Sequence, residues 1–534
     1  MKFISFSIVA LFCSISLLAQ ESYHIIPQPE KLVPSTGSFT FQQNSPITIV
    51  GSTTDFTSVV HMLVQQLSAS YGINLSVKSG SIKSNGINFI ENKQLGEEAY
   101  KLIVTPNKID IQAKTGKGAF YALQSLFQLM PAQIYASTKS TEKATALACE
   151  IEDAPRFNYR GMMLDAGRHF YPVAFVKRFI DLMSVYKLNT FHWHLTEDQG
   201  WRIEIKQYPL LTSKSSTRKE SMVGPYRDMK FDNTPYGGFY TQEDIKEVVA
   251  YAAQKFINII PEIEMPGHSQ ALLASYPQLG CNPDKIYEVA TKWGVSEDVL
   301  CPREETFTFM QNVLTEVMAL FPGQYIHIGG DECPKKQWKE SRFCQDLMKK
   351  LNLKDEHELQ SYFIGRIDKF ITSKGRKMLG WDEILEGGLS PNAMVMSWRG
   401  IKGGVEAAKL KHDVVMTPDN FFYFDYYQAD SKTQPLAIGG NLPLSKCYSF
   451  EPDLPELTAE EAKHIVGVQA NVWTEYIGTP SYFEYMSFPR AFALAEIAWS
   501  PKRPKNYSEF LNRVKKQVPA MDAMKINYCP VELK

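Results

Sequence analysis

Two adjacent acids, Asp331 and Glu332, follow a short apolar run, Tyr325-Ile326-His327-Ile328, across two glycines, Gly329 and Gly330. A strand throws successive side chains to opposite faces, so neighbouring acids cannot serve one ligand from regular strand geometry. To act together they must sit past the strand, where the chain turns, and paired glycines suit such a turn. Parallel α/β barrels keep their reactive groups at that place. The plainer alternative is that one acid caps the next helix while the other is solvated.

The elements that would position such a pair repeat along the chain. From Arg160 onward the pattern is strand, loop, helix, with candidate strands at Gly161–Leu164, Thr190–Leu195, Asn258–Ile263, Tyr325–Ile328, Lys377–Leu379, Met394–Met396, Asp413–Met416 and Gly467–Ala470. Helical spacing marks 173–186, 241–254, 307–320 and 359–373, and Thr241 with Asp244 forms a capping-box pattern. Eight such repeats specify an α/β fold, a (β/α)8 TIM barrel spanning 156–500. An open doubly wound sheet is the runner-up, but no Gly-rich phosphate loop follows the first strand. Residues 22–153 read as a smaller α+β domain with short alternating strands and two helices, at 56–71 and 118–129. Residues 501–534 read as a closing helix and tail.

Each strand end carries charged or aromatic groups. In order they are Asp165 to His169, His194 to Asp198, Glu264 to His268, Asp331-Glu332, Trp381 to Glu383, Trp398-Arg399, Tyr423 to Asp425, and Trp473 to Glu475. A pyranose has an apolar face that packs on indole and hydroxyls that pair with carboxylates and Arg. Trp381, Trp398 and Trp473 could wall a pocket one sugar wide, with Arg168, Asp425 and Glu475 on its hydroxyls. A zinc site is the competing chemistry, because His192 and His194 have H-x-H spacing on one strand face. Catalytic zinc needs about three protein ligands, mostly His, and strands five, six and eight end without one. The expectation is therefore no metal and no cofactor, with hydrogen-bonded roles for His192 and His194.

The segments Phe191 to Arg202 (FHWHLTEDQGWR), Pro261 to His268 (PEIEMPGH) and His327 to Glu332 (HIGGDE) resemble the family 20 glycoside hydrolases, the β-N-acetylhexosaminidases. The resemblance covers the barrel and the domain before it. It implies an exo-acting retaining enzyme that removes terminal β-linked N-acetylglucosamine or N-acetylgalactosamine from an N-acetylated oligosaccharide or glycoconjugate. The substrate's own acetamido oxygen would attack the anomeric carbon to give an oxazolinium intermediate. Glu332 would be the general acid, Asp331 would hold the acetamido N–H, and Tyr423 would orient the acetamido oxygen. Arg168, Asp425 and Glu475 match hydroxyl-binding positions, and the three Trp match the aromatic pocket. His268 and Glu264 match a pair that tunes the acid, with Glu264 standing where relatives commonly carry Asp; Asp198 and His327 read as supporting residues, with purely structural roles as the alternative. A general acid working near neutral pH needs a raised pKa, so Glu332 is expected to have one. The alternative function is a carbohydrate-binding protein on the same fold without turnover.

Formal charge of −1 and 44 % apolar residues in 534 give no electrostatic reason to expect nucleic acid or an anionic membrane as partner. Lys2 followed by an apolar run from Phe3 to Ala19 reads as a signal peptide over 1–19, implying export to the periplasm or outside the cell. No other stretch reads as a membrane span. Beyond Cys13 seven cysteines remain, and in an oxidising compartment Cys281–Cys301 or Cys333–Cys344 could bridge, with buried free thiols as the alternative. Asn74 and Asn506 stand in glycosylation acceptor patterns.

Overall fold

The structure, a computed structural model, describes residues 23–51 and 53–533; the signal peptide expected over 1–19 lies outside the described residues. No helix among the described residues is long and apolar enough to cross a membrane. The chain divides into two compact units.

One unit holds the described residues up to 157 together with 184–187 and 491–534. Its sheet comprises β1 (Lys31–Thr40), β2 (Pro46–Val50), β3 (Ser76–Ser79), β4 (Gly86–Glu91), β5 (Tyr100–Val104), β6 (Lys108–Ala113) and β7 (Thr145–Asp153), in the order β1-β7-β5-β6-β4-β2-β3. Alternation in β5 buries Tyr100, Leu102 and Val104 while Lys101 and Ile103 stay partly open, as a one-faced strand requires. The helices Thr53–Tyr71 and Gly116–Gln128 stand where the apolar spacing predicts them, the second capped by Thr115 accepting from the Gly118 amide. The C-terminal segment belongs to this unit rather than standing apart after the barrel. Buried charge accounts for that: Asp153 accepts from Lys187 Nζ and Trp499 Nε1, each at 2.9 Å, and Glu496 accepts from Arg513 Nη1 at 3.1 Å and from the Gln28 amide at 2.8 Å.

The other unit is a closed barrel of eight parallel strands: Tyr159–Asp165, Thr190–His194, Asn258–Glu262, Tyr325–His327, Lys377–Trp381, Met394–Ser397, Val414–Met416 and Ile465–Val472. All eight predicted strands are present, with ends shifted by one or a few residues. Closure comes from the eighth strand pairing the first, Gly467 with Tyr159 through Val472 with Leu164. Strands buried on both faces read as near-continuous apolar runs, which is why the sequence shows them. Tyr159, Met163, Ile260, Leu379, Trp381, Met394, Met396 and Val415 pack together as a core cluster. Helices Val173–Val185, Gln242–Gln254, Glu304–Leu320 and Glu356–Ser373 lie at or near the predicted spans, and the Thr241/Asp244 capping box forms in both directions.

Neither proposed disulfide is present. Cys281, Cys301, Cys333 and Cys344 are thiols, and Cys344 turns toward Cys301, 3.7 Å away, instead of Cys333. Ser341 caps the helix Arg342–Leu351, and that helix carries Cys344 into this position.

Candidate active site

The fourth strand stops at His327, and Gly329 and Gly330 continue with φ of +69° and +89°. Asp331 and Glu332 therefore lie in the turn beyond the strand. Space also demands glycine at 329, where a Cβ would stand 1.8 Å from Glu264 Oε2. Glu332 and His268 are themselves left-handed, with φ of +43° and +45°. Such backbone costs about 1–3 kcal/mol per non-glycine residue and persists only where the surroundings enforce it. The two strained residues face each other. His268 Nε2 lies 3.6 Å from Glu332 Oε2 and 3.6 Å from Asp331 Oδ2, so both acids border one imidazole edge. Asp331 is 8 % exposed, and its Oδ1 has no hydrogen-bond partner among the described residues.

The partner of His268 is not the expected one. Its Nδ1 lies 2.8 Å from Glu197 Oε1 and 3.5 Å from Asp198 Oδ2. Glu264 instead packs under Gly329, neither of its oxygens has a hydrogen-bond partner among the described residues, and burial raises its carboxyl well above the usual range. The reason is reach. Thr196–Glu197 pairs with Gly200–Trp201 in a short antiparallel ribbon, which directs Glu197 inward to Arg168 Nη2 (3.2 Å) and His194 Nε2 (3.3 Å) as well as to His268. Asp198, expected as a supporting residue, also accepts from the Gln270 amide at 2.8 Å.

Burial opposes a charge on His268, but Glu197, Asp198 and Asp331 overcome it and lift the imidazole well above the ordinary histidine range. The resulting imidazolium, 3.6 Å from Glu332 Oε2, holds that carboxyl below its usual value. Burial, reinforced by Glu262 and Glu332, pushes Asp331 up to about 7. The raised value expected of Glu332 thus sits on its neighbour, because the His268 imidazolium outweighs burial at Glu332 while burial prevails at Asp331.

Aromatic rings border these acids. Trp398 and Tyr423 lie nearly parallel, with centroids 5.9 Å apart, and Trp473 lies 6.2 Å from Tyr423 and 5.7 Å from Trp381. Trp398 is pinned by Nε1 donating to Glu383 Oε2 at 3.0 Å. Trp381 is 1 % exposed and donates from Nε1 to Glu262 Oε1 at 2.7 Å, which makes it a floor more than a wall. The Arg168 guanidinium lies 4.9 Å over the Trp473 ring. Burial raises both Asp425 and Glu475, reinforced at Asp425 by Glu475 and opposed at Glu475 by Arg168, and Asp425 Oδ1 and Glu475 Oε2 lack hydrogen-bond partners among the described residues. Buried acceptors are rarely left unsatisfied. Three of them, on Asp331, Asp425 and Glu475, beside indole faces form a site suited to a ligand with several donors and an apolar face.

Beneath this layer Glu262 joins residues from three other strands, a role that sequence reasoning missed. It contacts His192 Nε2 at 3.0 Å, His327 Nδ1 at 2.9 Å, Trp381 Nε1 and His194 Nδ1. Parallel register creates the cluster by pairing Glu262 with both His194 and His327. Burial pushes His192 down to about 4, whereas at His194 the same penalty is overcome by Glu262 and Glu197, raising it to about 10. The H-x-H pair is thus engaged with this acid. Removing one member of a buried charged pair typically costs about 3–5 kcal/mol. Glu262→Gln is expected to lower unfolding stability by about 3 kcal/mol, read by urea denaturation; an unchanged midpoint would show that the histidines do not depend on its charge.

Residues 157–502 match the glycosyl hydrolase family 20 catalytic domain, and residues 22–154 match that family's domain 2. The chain is 44 % identical over 510 residues to a beta-hexosaminidase of Porphyromonas gingivalis, a match covering 95 % of this chain and 64 % of the relative. It therefore spans somewhat less than two thirds of that relative's length. Among solved structures, the GH20 beta-N-acetylhexosaminidase from Streptomyces coelicolor A3(2) is 29 % identical with a TM-score of 0.83, over 95 % of this chain and 97 % of that one. The GH20 exo beta-N-acetylglucosaminidase from Vibrio harveyi, in complex with N-acetylglucosamine, is 36 % identical with a TM-score of 0.83, over 95 % of this chain and 78 % of that one. Both parts of the chain match in order, and the barrel closes with its acid pair in the glycine turn past the fourth strand; the chain belongs to glycoside hydrolase family 20.

Proposed function

We propose that this chain is an exo-acting, retaining β-N-acetylhexosaminidase that cleaves terminal N-acetylglucosamine or N-acetylgalactosamine by substrate-assisted catalysis. The observation that carries the reading is the pair Asp331 and Glu332 at equal distance from His268, beside three unpartnered buried acceptors and an aromatic surround. The Vibrio harveyi relative was solved with N-acetylglucosamine bound, which favours the same sugar class here.

In this reading Glu332 protonates the departing glycosidic oxygen and later takes a proton from water. The acetamido oxygen closes on the anomeric carbon while its N–H donates to the free Oδ1 of Asp331, whose charge stabilises the oxazolinium. Tyr423 donates to the acetamido oxygen and fixes its approach. Arg168, Asp425 and Glu475 bind ring hydroxyls, and Trp398 and Trp473 pack on the sugar faces. His268 and Glu197 hold the acid pair, with Asp198 beside them. No step needs a metal or cofactor.

The test is hydrolysis of nitrophenyl β-N-acetylglucosaminide and β-N-acetylgalactosaminide beside the nitrophenyl β-glucoside, with product anomers followed by NMR. Turnover only with the N-acetyl group and a β-anomer released first are expected; equal turnover of the glucoside, or an inverted product, would reject the mechanism, and binding without any hydrolysis would make the chain a sugar-binding protein. We also propose export, from the Phe3 to Ala19 run, which N-terminal sequencing of the secreted fraction checks.

A further inference from the structure

Away from the sugar site, the side chains of Cys281, Cys301 and Cys344 converge from three segments. Their sulfur atoms all lie within 4.8 Å of one another, and the Cys301–Cys344 pair is 3.7 Å apart. With Zn–S near 2.3 Å, two thiolates on a tetrahedral zinc ion stand about 3.8 Å apart. A disulfide uses two sulfurs and gives the third no reason to be there.

Charge points the same way. Arg303 Nε donates to Cys301 Sγ at 3.4 Å, and Cys344 lies in the first turn of Arg342–Leu351, where amide dipoles favour anions. Three thiolates and one dication leave a single negative charge, which Arg303 offsets. Cys301 and Cys344 are buried, while Cys281 is half-buried and gives access from solvent.

We propose that Cys281, Cys301 and Cys344 form a structural site for one Zn(II) ion, with water as the fourth ligand on the Cys281 side. Its role follows from what it joins. Leu300, next to Cys301, donates its amide to Pro266 O at 2.9 Å and accepts from Trp338 Nε1 at 3.0 Å. The ion would clamp the loop bearing His268 to the segment that follows Glu332.

The full chain, stripped of metal under reducing, anaerobic conditions, is expected to take up one Zn(II), and Co(II) in its place should give thiolate-to-metal charge-transfer absorption. Loss of an outer-layer partner alone weakens metal sites by about 10- to 100-fold, so Cys344→Ser is expected to weaken zinc binding by at least about 100-fold. Zinc should raise the melting temperature of the wild type and not of this variant, while nitrophenyl glycoside hydrolysis well below melting stays unchanged. Cys333→Ser, altering a cysteine in the same apolar cluster but outside the thiol group, should bind zinc as the wild type does. Failure to bind zinc with three titratable thiols, binding that survives Cys344→Ser, equal loss in Cys333→Ser, or a disulfide between two of the three in freshly isolated protein would each overturn the proposal.

Discussion

Glu332→Gln is expected to slow hydrolysis of an N-acetylated oligosaccharide by about 10²- to 10⁴-fold, the usual contribution of a positioned general acid. Glutamine keeps the volume and the left-handed backbone of residue 332 but cannot deliver a proton to a sugar hydroxylate. The cost should therefore track the leaving group. A dinitrophenolate leaves without protonation, so formation of the intermediate from that glycoside should be nearly spared. Breakdown should then become limiting, because the variant also lacks the base that activates water. A burst of phenolate followed by slow turnover would be the signature. Equal loss on dinitrophenyl glycoside and oligosaccharide in the first turnover would remove Glu332 from the acid role and leave it a binding group.

The barrel was legible because strands buried on both faces are written as apolar runs, each broken by acid, indole or histidine where it meets the rim. Capping chemistry was legible for the same local reason, as at Thr241 and Asp244. Pairings between distant segments were not. Glu262 lies in the segment Pro261-Glu262-Ile263-Glu264, yet its role depends on parallel register with His194 and His327, which no local pattern encodes. Glu197 and Asp198 are neighbours of similar chemistry, and only the ribbon through Gly200–Trp201 decides which one reaches Arg168, His194 and His268. Assigning His268 to Glu264 failed there. The thiols were open in the same way: spacing allowed bridges at Cys281–Cys301 or Cys333–Cys344 or buried free thiols, and only the placement of helix Arg342–Leu351 shows Cys344 facing Cys301. Protonation was the least legible, since it depends on how four carboxylates surround one buried imidazole.

That protonation pattern gives Asp331→Asn the more informative outcome. Rate should fall by about 10²- to 10³-fold, the usual loss when one group stabilising developing charge is removed, because the oxazolinium would meet a neutral amide. The pH profile should change as well. In the unliganded enzyme the acid pair retains one proton until about pH 7, carried mainly on Asp331. Under the proposed mechanism a bound acetamido N–H would favour ionised Asp331 and the glycosidic oxygen would favour protonated Glu332, so substrate would move that proton to where the reaction uses it. Activity of the wild type is thus expected below about pH 7, with loss as pH rises through that value, read from a kcat/KM profile. Asparagine removes both the like charge that supports a proton on Glu332 and the carboxyl that stores it. Glu332 is then left to the imidazolium of His268, which lowers its pKa. The alkaline limb of kcat/KM is therefore expected to move toward acid in Asp331→Asn, on top of the lower rate. A limb that stays in place would show that the titrating proton never belonged to this pair.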